Sequence, residues 1–254
     1  PKTGRFMTYT APTTEQLFVL DHIARIDAMA HHERFAAATP DMVEAIVTGI
    51  GEFAADVYAP LNRVGDVTNP RWDDGKVTMP PGFKDAYAQF VEAGWGSLDG
   101  PGEYGGQDLP FTLAAVVIEA LGTANMGFTL CPILTAGAIH ALMAYGTEDQ
   151  RQTWLPKLVN GAWNGTMNLT EPSAGSDVGA LRSTAEKVTE GAHAGLYRIK
   201  GQKIFITFGE HDLTDNIVHL VLARTPGAPE GTRGISLFLV PKYRLDAEGN
   251  PTIG

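Results

Sequence analysis

Through residue 162, apolar side chains recur every three or four positions, and this spacing predicts amphipathic helices. One series comprises Leu17, Leu20, Ile23 and Ile26. A second helix is expected to begin at Pro40, with Thr39 as its cap, and to end at Pro60, because proline lacks the amide hydrogen that a helix interior needs. Residues 62–79 are rich in Gly, Asp and Pro, a composition that indicates a loop.

The pattern changes at Trp163, where short runs of β-branched and aromatic residues replace the helical spacing. The runs cover 163–169, 185–188, 197–199, 204–207, 217–223 and 235–240. Turn-forming Gly, Pro, Asn and Asp residues separate them, which indicates an antiparallel β-sandwich or barrel rather than a βαβ array. The predicted fold class is therefore α+β, with an all-α helical domain over 7–162 followed by a β-domain over 163–254.

Composition and charge exclude several classes of function. The chain has 254 residues, of which 44% are hydrophobic and 19% charged, the balance of a folded globular protein. Its formal net charge of −10 argues against nucleic-acid binding, which needs clustered Lys and Arg. Apolar runs such as Leu113–Leu121 are short and interrupted, so no membrane span is predicted. The single cysteine, Cys131, allows neither an internal disulfide nor a cysteine metal cluster, and we expect a cytoplasmic location and no bound metal.

Three short motifs suggest other chemistry, but their context favours simpler interpretations. Residues 100–105 match G-x-G-x-x-G without the preceding strand and following helix that a dinucleotide site needs, so a tight turn is expected. His31, His32 and Glu33 are adjacent, and adjacent helical residues point in different directions, which argues against a metal site. The segment 209–212 places a histidine between carboxylates that can move protons, so it stays a minor candidate beside its interpretation as a polar loop.

The most informative stretch is Met167–Asp177. A strand is expected to end at Pro172, which cannot donate to a ladder, and a loop of small residues follows. Gly175 can adopt backbone angles that other residues avoid, and free amides in such a loop can meet an anion. A plain β-turn, with Asp177 capping local amides, explains this stretch equally well.

A second run, Lys203–Thr207, is predicted to be a strand. Strand alternation would place Lys203, Phe205 and Thr207 on one face and the two isoleucines between them on the other. An aromatic ring and a hydroxyl two residues apart suit a flat heteroaromatic ligand with a hydrogen-bonding edge. An ordinary half-buried strand is the alternative.

Together these runs resemble the acyl-CoA dehydrogenase family. The shared motifs are Met167-Asn-Leu-Thr-Glu-Pro-x-Ala-Gly-Ser-Asp177, Gly201-x-Lys-Ile-Phe-Ile-Thr207, Ala223-Arg224 and Gly234-Ile-Ser-x-Phe-x-Val240. Details similar to the family branch with an extra N-terminal helical segment, which includes methylthiopropionyl-CoA dehydrogenase-like enzymes, are Tyr9-x-Ala-Pro12, Gly82-Phe-Lys84, Gly105-Gly-Gln107, Phe205-Ile-Thr207 and Glu210-His-Asp212. The resemblance implies an N-terminal helical domain and an incomplete middle β-domain, without the family's C-terminal helical domain. From position alone, Met7 is expected to be the native start and 1–6 a remnant of a cloning vector.

The resemblance also implies FAD as cofactor and assigns positions to it. The implied FAD-binding residues are Met167, Leu169, Thr170, Gly175, Ser176, Phe205, Ile206 and Thr207. Ser176 would also lie near the thioester of the substrate, Phe205 stands where many members carry Trp, and Thr207 would hydrogen-bond near the flavin N5. No residue of this chain is assigned as the catalytic base, which in the family comes from the C-terminal helices. Glu171 is expected to brace its loop instead.

The implied reaction is FAD-dependent α,β-dehydrogenation of an acyl-CoA thioester to the trans-2-enoyl-CoA, as in fatty acid β-oxidation. Electrons would pass to an electron-transfer flavoprotein, and a homodimer or homotetramer is expected. Two alternatives stay open. One is a flavin oxidase or monooxygenase on the same scaffold, and the other is a non-catalytic fragment or subunit that needs a partner.

Overall fold

The structure is a computed structural model that describes residues 9–252. The expected start at Met7 and the expected vector remnant lie outside the described residues. Contacts divide the chain into two compact units. The first, which we call the helical unit, holds the described residues up to Trp163 together with Glu210–Asp215. The second, the β-unit, holds Asn164–Gly209 and the described residues from Asn216 onward.

The helical unit contains seven α-helices within the described range. They are α1 (Thr13–Phe18), α2 (Ile26–Met29), α3 (Pro40–Phe53), α4 (Ala59–Val67), α5 (Phe83–Glu92), α6 (Phe111–Tyr145) and α7 (Glu148–Val159). Two π-helical turns, Val19–Ala24 and Ala54–Tyr58, follow α1 and α3. A two-stranded hairpin of β1 (Arg71–Asp73) and β2 (Lys76–Thr78) precedes α5.

Pro60 does not end the second predicted helix. The Thr39 hydroxyl caps α3 as expected, accepting the Met42 amide at 3.4 Å, but the helix continues through the π-helical turn into α4. Pro60 is the second residue of α4, directly after the π-helical turn, and the irregular turn accommodates the proline so that the helix continues. The loop predicted for 62–79 is correspondingly shorter, since α4 extends to Val67 and the hairpin follows.

Helix α6 is the core helix of this unit. Its backbone is non-helical at Asn125, whose side chain accepts the Phe128 amide and donates to the Tyr58 carbonyl, so the kink is satisfied by hydrogen bonds. By length and composition alone this 35-residue helix could cross a membrane, since an 18-residue stretch of it has a mean hydropathy of 1.5. It also buries Leu113 and Leu121 among the helices, and a core helix passes the same test. The absence of a membrane span stays a prediction.

The strands that begin at Trp163 are short. They are β3 (Trp163–Asn168), β4 (Thr184–Lys187), β5 (Tyr197–Lys200), β6 (Asn216–Arg224), β7 (Ile235–Pro241), β8 (Arg244–Leu245) and β9 (Pro251–Thr252). Five of them form one sheet in the order β3-β6-β4-β5, with β7 also paired to β6, and β8 and β9 pair with each other. β6 lies in the middle of the sheet, and its Ile217, Val218 and Ala223 are fully buried.

Strand directions in the sheet are mixed. The β4–β5 and β6–β7 pairs are antiparallel, but β4 and β6 run parallel where Thr184 faces Arg224. A parallel pair needs a crossover connection, and the residues between β4 and β6, which include β5, supply it. The α+β class and the order of helices before strands are confirmed, and the expectation of a wholly antiparallel sheet is corrected.

Candidate functional site

The first sequence run forms a strand end and a tight turn in the β-unit. β3 ends at Asn168, and the Glu171 amide then donates to the Ala174 carbonyl at 2.7 Å while the Ala174 amide donates back at 3.1 Å. Met167 is half-buried, and Ser176 in the following loop is exposed. The small-residue loop is present as predicted, but the strand ends at Asn168, four residues before Pro172.

The backbone of Gly175 departs from the sequence expectation. Its φ lies outside the left-handed region, so conformational freedom is not the reason for glycine here. A Cβ atom at this position would meet Thr170 Cγ2 at 3.9 Å, which is ordinary van der Waals contact. The chain itself leaves room beside Gly175, and a ligand could use that room.

The second run, Lys203–Thr207, is not a strand. The Ile204 amide donates to the Thr170 carbonyl at 3.0 Å, after which the chain turns, with a left-handed backbone at Phe205 (φ 56°) and Phe208 (φ 51°). A left-handed φ on a residue with a Cβ costs roughly 1–2 kcal/mol and breaks the alternation of strand faces. The Phe205 side chain is nonetheless 87% exposed. Strained residues of this kind cluster at ligand-binding sites.

A buried ion pair joins the two runs. Lys203 Nζ lies 2.8 Å from Glu171 Oε1 and 3.0 Å from the Leu169 carbonyl oxygen. The Arg182 amide donates to Glu171 Oε2 at 2.6 Å, and the Ser183 amide donates to Oε1 at 3.1 Å. Glu171 therefore braces the loop, as the sequence led us to expect.

The surroundings of Glu171 keep it ionised. Burial raises the pKa of its carboxyl, but the Arg182 amide, the Lys203 ammonium and the contacts with Ser183 lower it more, to about 2. Both carboxylate oxygens already accept hydrogen bonds. A carboxylate with so low a pKa and with occupied oxygens is a poor proton acceptor, so Glu171 is not a candidate general base.

The structure brings only some of the predicted site residues into direct contact. Thr170 bonds to the start of the second run through its carbonyl, and Gly175 packs beside the Thr170 methyl group. Ser176 and Thr207 are exposed, and their side chains make no hydrogen bond that the described residues show. The individual FAD contacts assigned from the sequence stay predictions.

The sequence analysis assigned no role to Lys203, which starts the second run, or to Gly201 just before it. A Cβ atom on Gly201 would lie 2.0 Å from Ser183 Oγ, so only glycine lets this segment approach the residue whose amide holds Glu171. The sequence does place Lys203 directly before an apolar run and Glu171 directly before a proline, and these two positions were the available signal for an ion pair. Their spacing of more than 30 residues hid the pairing.

The minor candidate at 209–212 has a structural explanation. In the helical unit, the Asp212 carboxylate accepts the Met79 amide at 3.0 Å, and buried His211 accepts the Leu213 amide through Nδ1 at 3.2 Å. Residues 102–104 form a 3₁₀ turn, as expected of a tight connection. Across residues 9–252, no three His, Cys, Asp or Glu side chains converge as metal ligands would.

Family models match most of the chain. The model described as acyl-CoA dehydrogenase, N-terminal domain, covers residues 40–162, and the one described as acyl-CoA dehydrogenase, middle domain, covers residues 166–250. A 3-methylmercaptopropionyl-CoA dehydrogenase from Ruegeria pomeroyi is 47% identical over 97% of this chain. The match spans 41% of that relative's length.

Solved structures agree with the sequence matches. A chain of the electron transferring flavoprotein structure from Acidaminococcus fermentans is 30% identical, with a TM-score of 0.65, over 80% of this chain and 48% of that one. Butyryl-CoA dehydrogenase from Megasphaera elsdenii is 22% identical, with a TM-score of 0.64, over 80% of this chain and 49% of that one, which at this identity shows the fold alone. Two family models in the order of the two units, together with a relative matched along nearly the whole chain, place this chain in the acyl-CoA dehydrogenase family.

Proposed function

We propose that the protein containing this chain is an FAD-dependent acyl-CoA dehydrogenase, which converts an acyl-CoA thioester to the trans-2-enoyl-CoA. The β-unit would contribute one wall of the flavin site. The observation that carries this proposal is the junction of the two sequence runs, where Lys203 and the Ile204 amide tie the second run to Leu169, Thr170 and Glu171. Two motifs that are distant in sequence thus form one local structure.

The residues at this junction suit a flavin nucleotide. Phe205 presents an exposed aromatic ring from a strained turn, which fits packing against a flat heteroaromatic ring. The room beside Gly175 lets a bulky group approach the backbone, and the exposed Ser176 hydroxyl is available to a phosphate oxygen. Thr207 offers a second exposed hydroxyl for a polar ring edge.

FAD, when bound, supplies the acceptor for the hydride that leaves the β-carbon. The residues of this chain would bind and orient the cofactor, with Phe205 and Thr207 on the ring and Gly175 and Ser176 toward its phosphates. Ser176 would also lie near the thioester of the substrate. The α-proton needs a base with a pKa near the working pH, and Glu171 with its pKa of about 2 does not meet that need. We assign no base among the described residues.

Reduction by an acyl-CoA tests the proposal. The full-length protein, reconstituted with FAD and mixed anaerobically with butyryl-CoA or 3-methylmercaptopropionyl-CoA, is expected to lose its visible flavin absorbance and to yield the 2-enoyl-CoA. The second compound is included because of the relative from Ruegeria pomeroyi. Flavin that binds but is bleached by neither thioester, nor by longer acyl-CoAs, would contradict the dehydrogenase assignment.

The fate of the electrons separates the dehydrogenase from an oxidase. We propose an electron-transfer flavoprotein as acceptor, a choice supported by the similarity to a chain from the Acidaminococcus fermentans structure. Turnover should then be fast with that carrier and slow in air. Stoichiometric hydrogen peroxide in air would instead favour an oxidase, and an oxygen atom incorporated into the acyl product would favour a monooxygenase. A cytoplasmic location and a homodimer or homotetramer complete the proposal, and light scattering of the full-length protein measures the assembly.

A further inference from the structure

Three hydrogen bonds connect the two runs, and two of them come from one side chain. Lys203 Nζ donates to the Leu169 carbonyl at 3.0 Å and to Glu171 Oε1 at 2.8 Å, while the Ile204 amide donates to the Thr170 carbonyl at 3.0 Å. The lysine therefore binds the residues on both sides of Thr170. Its position along the second run immediately precedes the turn that carries Phe205.

The partner of this lysine is itself held rigidly. Glu171 accepts amide hydrogens from Arg182 and Ser183, the two residues directly before β4, in addition to the ammonium. The side chains of Lys203 and Glu171 are only 11% and 4% exposed. Removing one partner of a buried pair leaves an uncompensated charge, so this contact is costly to lose, whereas a surface ion pair would contribute little.

The Phe205 ring does not itself hold the turn beyond the lysine. Phe205 has a left-handed φ and an almost fully exposed side chain, so the packing of its own ring does not fix its place. The residues just before it, Lys203 and Ile204, are anchored to the first run, and the Gly209 amide closes the turn after it by donating to the Ile206 carbonyl at 3.1 Å. A shift of that anchor would move Phe205 and Thr207 relative to Thr170 and Gly175.

We infer that Lys203 is a positioning residue for the cofactor, because its ammonium, clamped between the Leu169 carbonyl and the Glu171 carboxylate, sets the spacing of the two runs that hold FAD. The inference rests on the proposed function. Lys203 does not need to touch FAD for this role. Its effect is transmitted through the backbone of Leu169–Glu171 on one side and through the Phe205 turn on the other.

Titration of the full-length apoprotein with FAD tests this role, with flavin fluorescence as the readout. Lys203→Met and Lys203→Gln should raise the dissociation constant for FAD by about tenfold or more. Lys200→Met and Lys200→Gln are matched controls, since Lys200 is exposed on the neighbouring β5, and they should stay within about twofold of wild type. Lys203→Arg keeps the charge and the donors and should bind FAD more tightly than Lys203→Met.

Measurements well below the unfolding temperature separate positioning from stability, because a folded but less stable protein would bind FAD unchanged. Hydrogen exchange of the peptide over 203–209 should be faster in Lys203→Met than in Lys200→Met. If Lys203→Met does not fold, the FAD affinities of Lys203→Gln and Lys200→Gln are compared instead and answer the same question. Folded Lys203 variants with wild-type FAD affinity would overturn the inference alone. A wild-type protein that does not bind FAD would overturn the proposed function as well.

Discussion

Replacing Glu171 with glutamine is expected to remove an acid-sensitive part of the stability of the β-unit. The carboxyl has an ordinary pKa of 4.5, and in the folded chain burial opposes but does not cancel the lowering by the Arg182 amide and Lys203, which leaves it at about 2. The unfolded chain therefore takes up this proton at a higher pH than the folded chain does. Stability from Glu171 is present above pH 4.5 and is lost as the pH falls toward 2.

The size of the effect follows from the two pKa values. At about 1.4 kcal/mol for each pH unit between them, ionised Glu171 contributes up to about 3 kcal/mol to the free energy of unfolding at neutral pH. At pH 3.5, where the unfolded carboxyl is mostly protonated and the folded one is not, about 1 kcal/mol of this is lost. Glu171→Gln cannot ionise and lacks this pH dependence.

Urea unfolding at several pH values from 7 to 3.5 measures the difference. Trp72, Trp95 and Trp154 lie in the helical unit, and Trp163 stands at its boundary as the first residue of β3, so tryptophan fluorescence reports mainly on the helical unit. Hydrogen exchange of the peptide over 197–209, which belongs to the β-unit, is the suitable probe, because the helices of the other unit dominate far-ultraviolet circular dichroism.

The difference in free energy of unfolding between wild type and Glu171→Gln should narrow by about 1 kcal/mol between pH 7 and pH 3.5. Glu186→Gln, an exposed carboxylate on β4, is the matched control and should keep a constant gap. The pH slope is the informative quantity, because the cost of placing an amide among backbone donors does not vary with pH. A gap for Glu171→Gln that stays constant to within about 0.5 kcal/mol would refute the reasoning.

The remaining predictions concern the residues proposed to meet the cofactor. Gly175→Ala should change the free energy of unfolding by less than about 0.5 kcal/mol, because its Cβ would meet only the Thr170 methyl at 3.9 Å, yet it should weaken FAD binding. Lost stability with unchanged FAD affinity would show that the room beside Gly175 serves packing instead. Phe205→Gly should be about 1 kcal/mol more stable than Phe205→Ala in thermal unfolding, since glycine accepts the left-handed φ of 56°, while both lose affinity for FAD. Equal melting temperatures would speak against strain at this turn. Thr207→Val should slow flavin reduction about fivefold, because the variant loses one hydrogen bond worth about 1 kcal/mol. Ser176→Ala should mainly weaken FAD or CoA binding. Unchanged kinetics and affinities in both variants would count against these two assignments.

Much of the architecture was determined by the sequence alone. Apolar spacing of three to four residues identified the helices before Trp163, and β-branched runs identified the strands after it, because burial of one helix face or sheet face dictates those periods. The Thr39 cap was visible because the hydroxyl, the following proline and the helix start are local. The family was likewise readable from two contiguous motifs.

Tertiary structure decided the features that depend on distant partners. The apolar alternation of Lys203–Thr207 favoured a strand, but the chain turns at Phe205, because Lys203 is drawn to a carboxylate 32 residues away and the Ile204 amide to Thr170. Pro60 continues a helix because a π-helical turn precedes it, and β4 meets β6 in parallel through a long crossover. Local propensity carries about 1 kcal/mol per residue, whereas leaving one partner of a buried ion pair uncompensated costs about 3–5 kcal/mol. The arrangement of the candidate flavin site was therefore set by long-range pairing, which no short window of the sequence contains.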